Sequence, residues 1–120
     1  GMAVRKSVLG AEYVARAEAN KSEFDEDWQR YVTEHAWGAI WTRPGLGKRI
    51  RSMLTIAMLA ALGRHDELGA HIRATRNTGF TKEEVKEVLR QVALYAGAPA
   101  ANIAFAVAKR VYKEMEGEGK

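Results

Sequence analysis

The chain has 120 residues, 47% hydrophobic and 28% charged, which matches a globular domain able to bury a core without covalent staples and argues against disorder. It contains no cysteine, so disulfides, thiolate metal sites and thiol redox chemistry are excluded. The net charge of +4 permits nucleic-acid binding without demanding it, because 15 acidic residues are interspersed with 19 basic ones, and no nucleic-acid partner is expected.

In chain order, hydrophobic spacing and caps predict six helices and no strand, an all-α fold in a single domain over residues 1–120. Gly1 ahead of Met2 reads as a residue left over from expression. A first helix is predicted from about Arg5 to Glu18. A second opens at the cap-like Ser22 and sets Phe24, Trp28, Tyr31 and Val32 on one side. It should stop near Trp41, because Pro44 disfavours helix at Arg43. The third, about Gly47 to Leu62, is nearly all apolar after Arg51 and belongs in a bundle centre or a subunit interface. Its run from Met53 to Leu62 is about half of the roughly 20 residues that a membrane span needs. No membrane span is expected, no signal segment is visible, and the cytoplasm is the expected location.

Gly63 ends the third helix, and Asp66 is the predicted cap of a fourth that runs to about Asn77 before Gly79. Thr81-Lys82-Glu83-Glu84 has the form of a capping box and opens a fifth helix reaching about Tyr95. Gly97 stops it, and Pro99 sits in the first turn of a sixth that continues to about Glu116, with a frayed tail over residues 117–120. The alanines of the sixth helix allow close helix packing. The third and sixth helices carry more apolar surface than so short a chain hides easily, which predicts a homo-oligomer.

The stretch Glu34–Leu46, EHAWGAIWTRPGL, carries the strongest chemical signal. Trp37 and Trp41 are four apart and share a helical face, and Arg43, Lys48, Arg49 and Arg51 follow with no acid among them. A planar aromatic wall beside fixed cations suits a small, flat, anionic ligand. Cations at the start of the third helix oppose its dipole, and a bound carboxylate would relieve the misfit. Arg64, Arg73 and Arg76 lie nearby in sequence and extend the expected anion site. The bland alternatives are core tryptophans and a solvated helix start.

Glu67 and His71 are also four apart, so they can hydrogen-bond on one helix face, fixing the imidazole's tautomer and raising its basicity. An exposed supportive pair is the alternative. His35 and His65 read as surface or interface histidines, and Ser52 and Thr55 as packing. Three scattered histidines without metal-ligand spacing make a metal site unexpected.

The segments EHAWGAIWTRPGL, RSMLTIAMLAALGRHDELGAHIRAT and GFTKEEVKEVLRQVALYAGAPAANIAF, in that order, resemble the carboxymuconolactone decarboxylase family, with WTRPGL and YAGAPAAN the most specific parts. The resemblance implies an all-helical subunit in a ring-shaped oligomer, a hexamer, acting without cofactor in the protocatechuate branch of aromatic catabolism. The implied reaction removes carbon dioxide from gamma-carboxymuconolactone, a dicarboxylate lactone, to give 3-oxoadipate enol-lactone. It assigns Arg51 and Arg43, with Arg64 beside them, to substrate oxygens, Trp37 and Trp41 to a dry wall, and His71 oriented by Glu67 to proton transfer. The wider superfamily includes alkylhydroperoxidase-type proteins, whose CxxC frame here reads Arg64-His65-Asp66-Glu67 ahead of His71. Without those cysteines peroxidase chemistry is excluded. The alternatives are a paralogue acting on another cyclic carboxylate or lactone, and a non-catalytic helical oligomer that binds an acidic partner.

Overall fold

The computed structural model describes residues 1–118, and throughout these the secondary structure is helical, without a strand. Seven α-helices form where six are predicted: α1 (Met2–Leu9), α2 (Ala11–Asn20), α3 (Glu26–Val32), α4 (Lys48–Leu62), α5 (His65–Thr78), α6 (Lys82–Ala96) and α7 (Ala98–Glu118). A π-helical segment, Thr33–Ile40, continues α3. The extra helix arises at Gly10, whose φ of 96° is open to glycine and costly for other residues, and which breaks the predicted first helix into α1 and α2.

The second predicted helix also changes. Ser22 does not cap it: α3 begins at Glu26 behind Asp25, while Ser22 and Asp25 close a turn in which the Ser22 amide donates to the Asp25 carboxylate at 2.7 Å. Asp66 is likewise no cap, since Arg64 holds that position and Asp66 lies in the first turn of α5. The capping box forms in full: the Glu84 amide donates to the Thr81 hydroxyl at 3.1 Å and the Thr81 amide to the Glu84 carboxylate at 3.0 Å. Helix α7 includes Gly117 and Glu118, and the remainder of the expected frayed tail, positions 119 and 120, falls outside the described residues.

The chain divides into two compact units, Gly1–Lys48 and a second from Arg49 onward. In the first, Arg5 of α1 is buried and reaches Glu18 of α2 at 3.2 Å and the Thr33 hydroxyl at 3.5 Å, tying both helices to the π segment's start. In the second, Ile56 and Ala60 of α4, Leu68 and Ile72 of α5, Phe80 of the turn ahead of α6, Val85, Leu89 and Val92 of α6 and Ala104, Val107, Ala108 and Val111 of α7 form one continuous core. The small residues of α7 bring it close to α5 and α6. Ser52, Ile56 and Ala60 repeat every fourth residue on the buried side of α4, and Leu54, Met58 and Leu62 repeat likewise on an exposed side. No described helix is long and apolar enough to cross a membrane.

Candidate functional site

In the first unit, the π segment carries Trp37 and Trp41 caps it. The Trp41 amide donates to the Ala36 carbonyl five residues back at 2.9 Å, the wider repeat that defines a π turn and is common at functional sites. The two indoles meet with ring centroids 5.0 Å apart and planes 32° from parallel. Trp37 is only 6% exposed, and Trp41 half-buried. Arg43 lies just beyond in an exposed turn, its amide donating to the Ile40 carbonyl at 3.0 Å. The expected aromatic pair therefore forms. His35 joins a separate surface stack, its ring 4.4 Å from Tyr31, which lies 5.7 Å from Trp28.

In the second unit, α4 supplies Arg51, half-buried, Arg64 is the N-cap of α5, and α5 supplies Glu67 and His71. His71 is 7% exposed, whereas Glu67, one turn earlier, stands in the exposed first turn. The outcome for the imidazole reverses the expectation from spacing. Burial lowers its pKa from 6.5 to about 4, so the ring is neutral at pH 7. A neutral ring buried in a helix is a poor acid until an anion arrives beside it.

The broad anion site expected from the basic residues breaks up. Arg49 pairs with the Glu84 carboxylate and lies 5.9 Å from the centre of the Phe80 ring, so it buttresses the α6 capping box. Arg73 binds Glu114 at 2.7 Å and also Glu118, and Arg76 reaches Glu118 at 3.4 Å. Those bonds, with that from Arg73 foremost, hold the Glu118 carboxyl below its usual range. Of the predicted set, Arg51 lies on α4 and Arg64 at the N-cap of α5. Ser52 and Thr55 are structural, as expected: Thr78 donates to the Ser52 hydroxyl at 3.1 Å and Thr55 to the Arg51 carbonyl at 2.7 Å.

Sequence reasoning missed Tyr112, whose phenol is pushed up by burial, an effect the Thr75 hydroxyl opposes. Its place on α7 beside the buried Val111 was the only available signal. Among the described residues, no group of three or more histidine or carboxylate side chains is arranged to hold a metal ion.

Residues 26–110 match the sequence profile of the carboxymuconolactone decarboxylase family. The chain belongs to this family. It is 47% identical over 115 residues to 4-carboxymuconolactone decarboxylase of Acinetobacter baylyi, an alignment covering 96% of this chain and 86% of that protein. It is 38% identical over 120 residues to nitrosuccinic acid decarboxylase of Metarhizium robertsii, covering 100% of this chain and 84% of the relative. Both relatives are named as decarboxylases of small acids, and the matched region includes the tryptophan pair, Arg43, Arg51, Arg64, Glu67 and His71.

Proposed function

We propose that this family member decarboxylates gamma-carboxymuconolactone to 3-oxoadipate enol-lactone without a cofactor, with His71 as the proton donor. The observation that carries the reading is the buried, neutral His71 imidazole, in a chain 47% identical to a 4-carboxymuconolactone decarboxylase. In the reaction the bond between the ring carbon and its carboxylate breaks, carbon dioxide leaves, and the electron pair spreads into the lactone carbonyl. The resulting dienolate then takes a proton on carbon. Arg51 and Arg43 hold the second carboxylate and the lactone oxygen, Arg64 adds positive charge, and Trp37 and Trp41 keep water from the ring. Glu67 orients His71.

The depressed pKa is compatible with this role because of the substrate's own charge. A dianion placed beside the imidazole favours its protonated form, so binding draws a proton onto His71 that is then delivered to carbon. The donor is thus charged only when substrate is present. The protein works as a homo-oligomer, a hexameric ring in the alkylhydroperoxidase-type arrangement. That reading is supported by the exposed stripe of Leu54, Met58 and Leu62 on α4, of which Leu54 and Met58, with Tyr95 of α6, line an apolar groove of about 410 Å³.

A second reading, decarboxylation of a different small dicarboxylate, is favoured by the 38% identity to nitrosuccinic acid decarboxylase. One assay separates the two. Carbon dioxide release is measured from freshly generated gamma-carboxymuconolactone and, in parallel, from nitrosuccinate, with chelator present. Faster release from the lactone is expected; release from nitrosuccinate alone would replace the first reading with the second.

A further inference from the structure

A second groove, of about 530 Å³, runs between α6 and α7 and is lined by none of the residues assigned to the reaction. Its floor is apolar, with Leu89, Phe105 and the ring of Tyr112, and its rim carries Lys82, Lys86 and Lys109 with no acid among the lining residues. The Lys82 ammonium lies 4.8 Å from the centre of the Tyr112 ring, and Lys86 pairs at 3.2 Å with Glu83 of its own helix. Such exposed pairs are worth little and exchange readily. A groove of this size is within the roughly 300–1,000 Å³ range of sites that receive a compact ligand or an anchoring side chain. Its occupant should be apolar at the centre and acidic around it.

One segment of the same chain has that chemistry. Glu23, Asp25, Glu26 and Asp27 surround Phe24 and precede Trp28. Phe24 is 96% exposed, more than any other large apolar side chain described, and Trp28 is 60% exposed. The tip is held in shape before it meets anything: the Phe24 amide donates to the Ser22 hydroxyl at 3.3 Å, and the Asp25 amide to the Ser22 carbonyl at 3.2 Å. A fixed turn presenting a bare ring costs little further ordering on binding. Leaving that ring in water forgoes the free energy of burying it.

We propose that the acidic tip around Phe24 of one copy docks into the lysine-rimmed groove between α6 and α7 of a second copy, the phenyl ring on the apolar floor and the carboxylates against Lys82, Lys86 and Lys109. The contact rests on the self-association proposed above and assigns part of its interface. Tip and groove are different surfaces, so the contact is either reciprocated across a two-fold axis or passes head to tail around a ring. The central phenyl ring supplies the binding energy and the charges select register and partner.

The absence of cysteine from the sequence makes the test clean. Chains carrying Glu23→Cys and chains carrying Lys109→Cys, distinguished by tags of different size, are co-expressed and treated with a short bifunctional maleimide. Sedimentation of the untreated protein is run alongside. Cross-linking between differently tagged chains is expected, about tenfold faster than for Glu12→Cys paired with Lys109→Cys, and Phe24→Ala should return it to the control rate. Cross-linking at the control rate in a protein that sediments as an oligomer would overturn this contact and leave self-association standing. A monomer at every concentration would overturn both.

Discussion

From Arg49 onward, four helices close over one core running from Ile56 to Val111, and the single titratable ring assigned to chemistry, His71, is sunk in a helix of that core. In Gly1–Lys48 three large aromatic side chains, Phe24, Trp28 and Tyr31, face out, while Val8, Val14 and Trp37 are buried. The second unit is built to hold a group in a fixed, dry place, where burial decides its protonation. The first is built to present groups, an indole pair on a π turn and an acidic aromatic tip.

The largest expected effect sharpens the chemical half of that contrast. Replacing His71 by Gln keeps side-chain volume and hydrogen-bonding capacity and should lower the rate of carbon dioxide release by about 10²–10⁴-fold, while Trp28→Ala, at an exposed position of the first unit, should leave the chemical step unchanged. Removing core volume tests the structural half. Ile56→Ala should cost about 2–5 kcal/mol in a chemical denaturation midpoint, because it empties a fully buried site.

The pH dependence of stability follows from the same burial. The folded pKa of His71 is depressed to about 4 from 6.5, so its neutral form stabilises the fold above pH 6.5, and that contribution is lost as pH falls from 6.5 toward 4. The loss should amount to on the order of 3 kcal/mol. The Glu18 and Glu118 carboxyls are held below their usual range by hydrogen bonds led by those of Lys21 and Arg73, so their contribution is lost at the acid end of that window and beyond it. The imidazole is read from the difference between the parent and His71→Gln in denaturation midpoints between about pH 4.5 and 6.5, where the substitution should flatten the slope. The smallest effect is at Gly69 in α5. A methyl group there would lie at ordinary contact distance, 3.6 Å from Val111 and 3.7 Å from Val107, so Gly69→Ala should raise stability by about 0.5–1 kcal/mol.

The helices from α4 to α7 were legible because their ends are written locally. Thr81 and Glu84 cap each other, and Gly63, Gly79 and Gly97 all take positive φ where the helices end. The first unit was less legible for a local reason as well. Gly10 inside a helical pattern does not announce whether it is tolerated or breaks the helix, and a π turn has the same composition as an α turn. In the site, the tryptophan pair was readable from spacing. The fates of Arg49, Arg73 and Arg76 were not, because their carboxylate partners lie on α6 and α7, for Arg73 more than 40 positions away in sequence. His71 shows the same limit. Its spacing from Glu67 pointed to raised basicity, and tertiary burial, invisible to spacing, lowered it.

The measurement that bears most directly on the chemistry is carbon dioxide release from gamma-carboxymuconolactone by the unmodified protein and by His71→Gln, side by side at pH 7. Rapid release by the first, and release at least about 100-fold slower by a folded second, is the expected result. A His71→Gln protein as fast as the parent would contradict the assignment of His71 as proton donor.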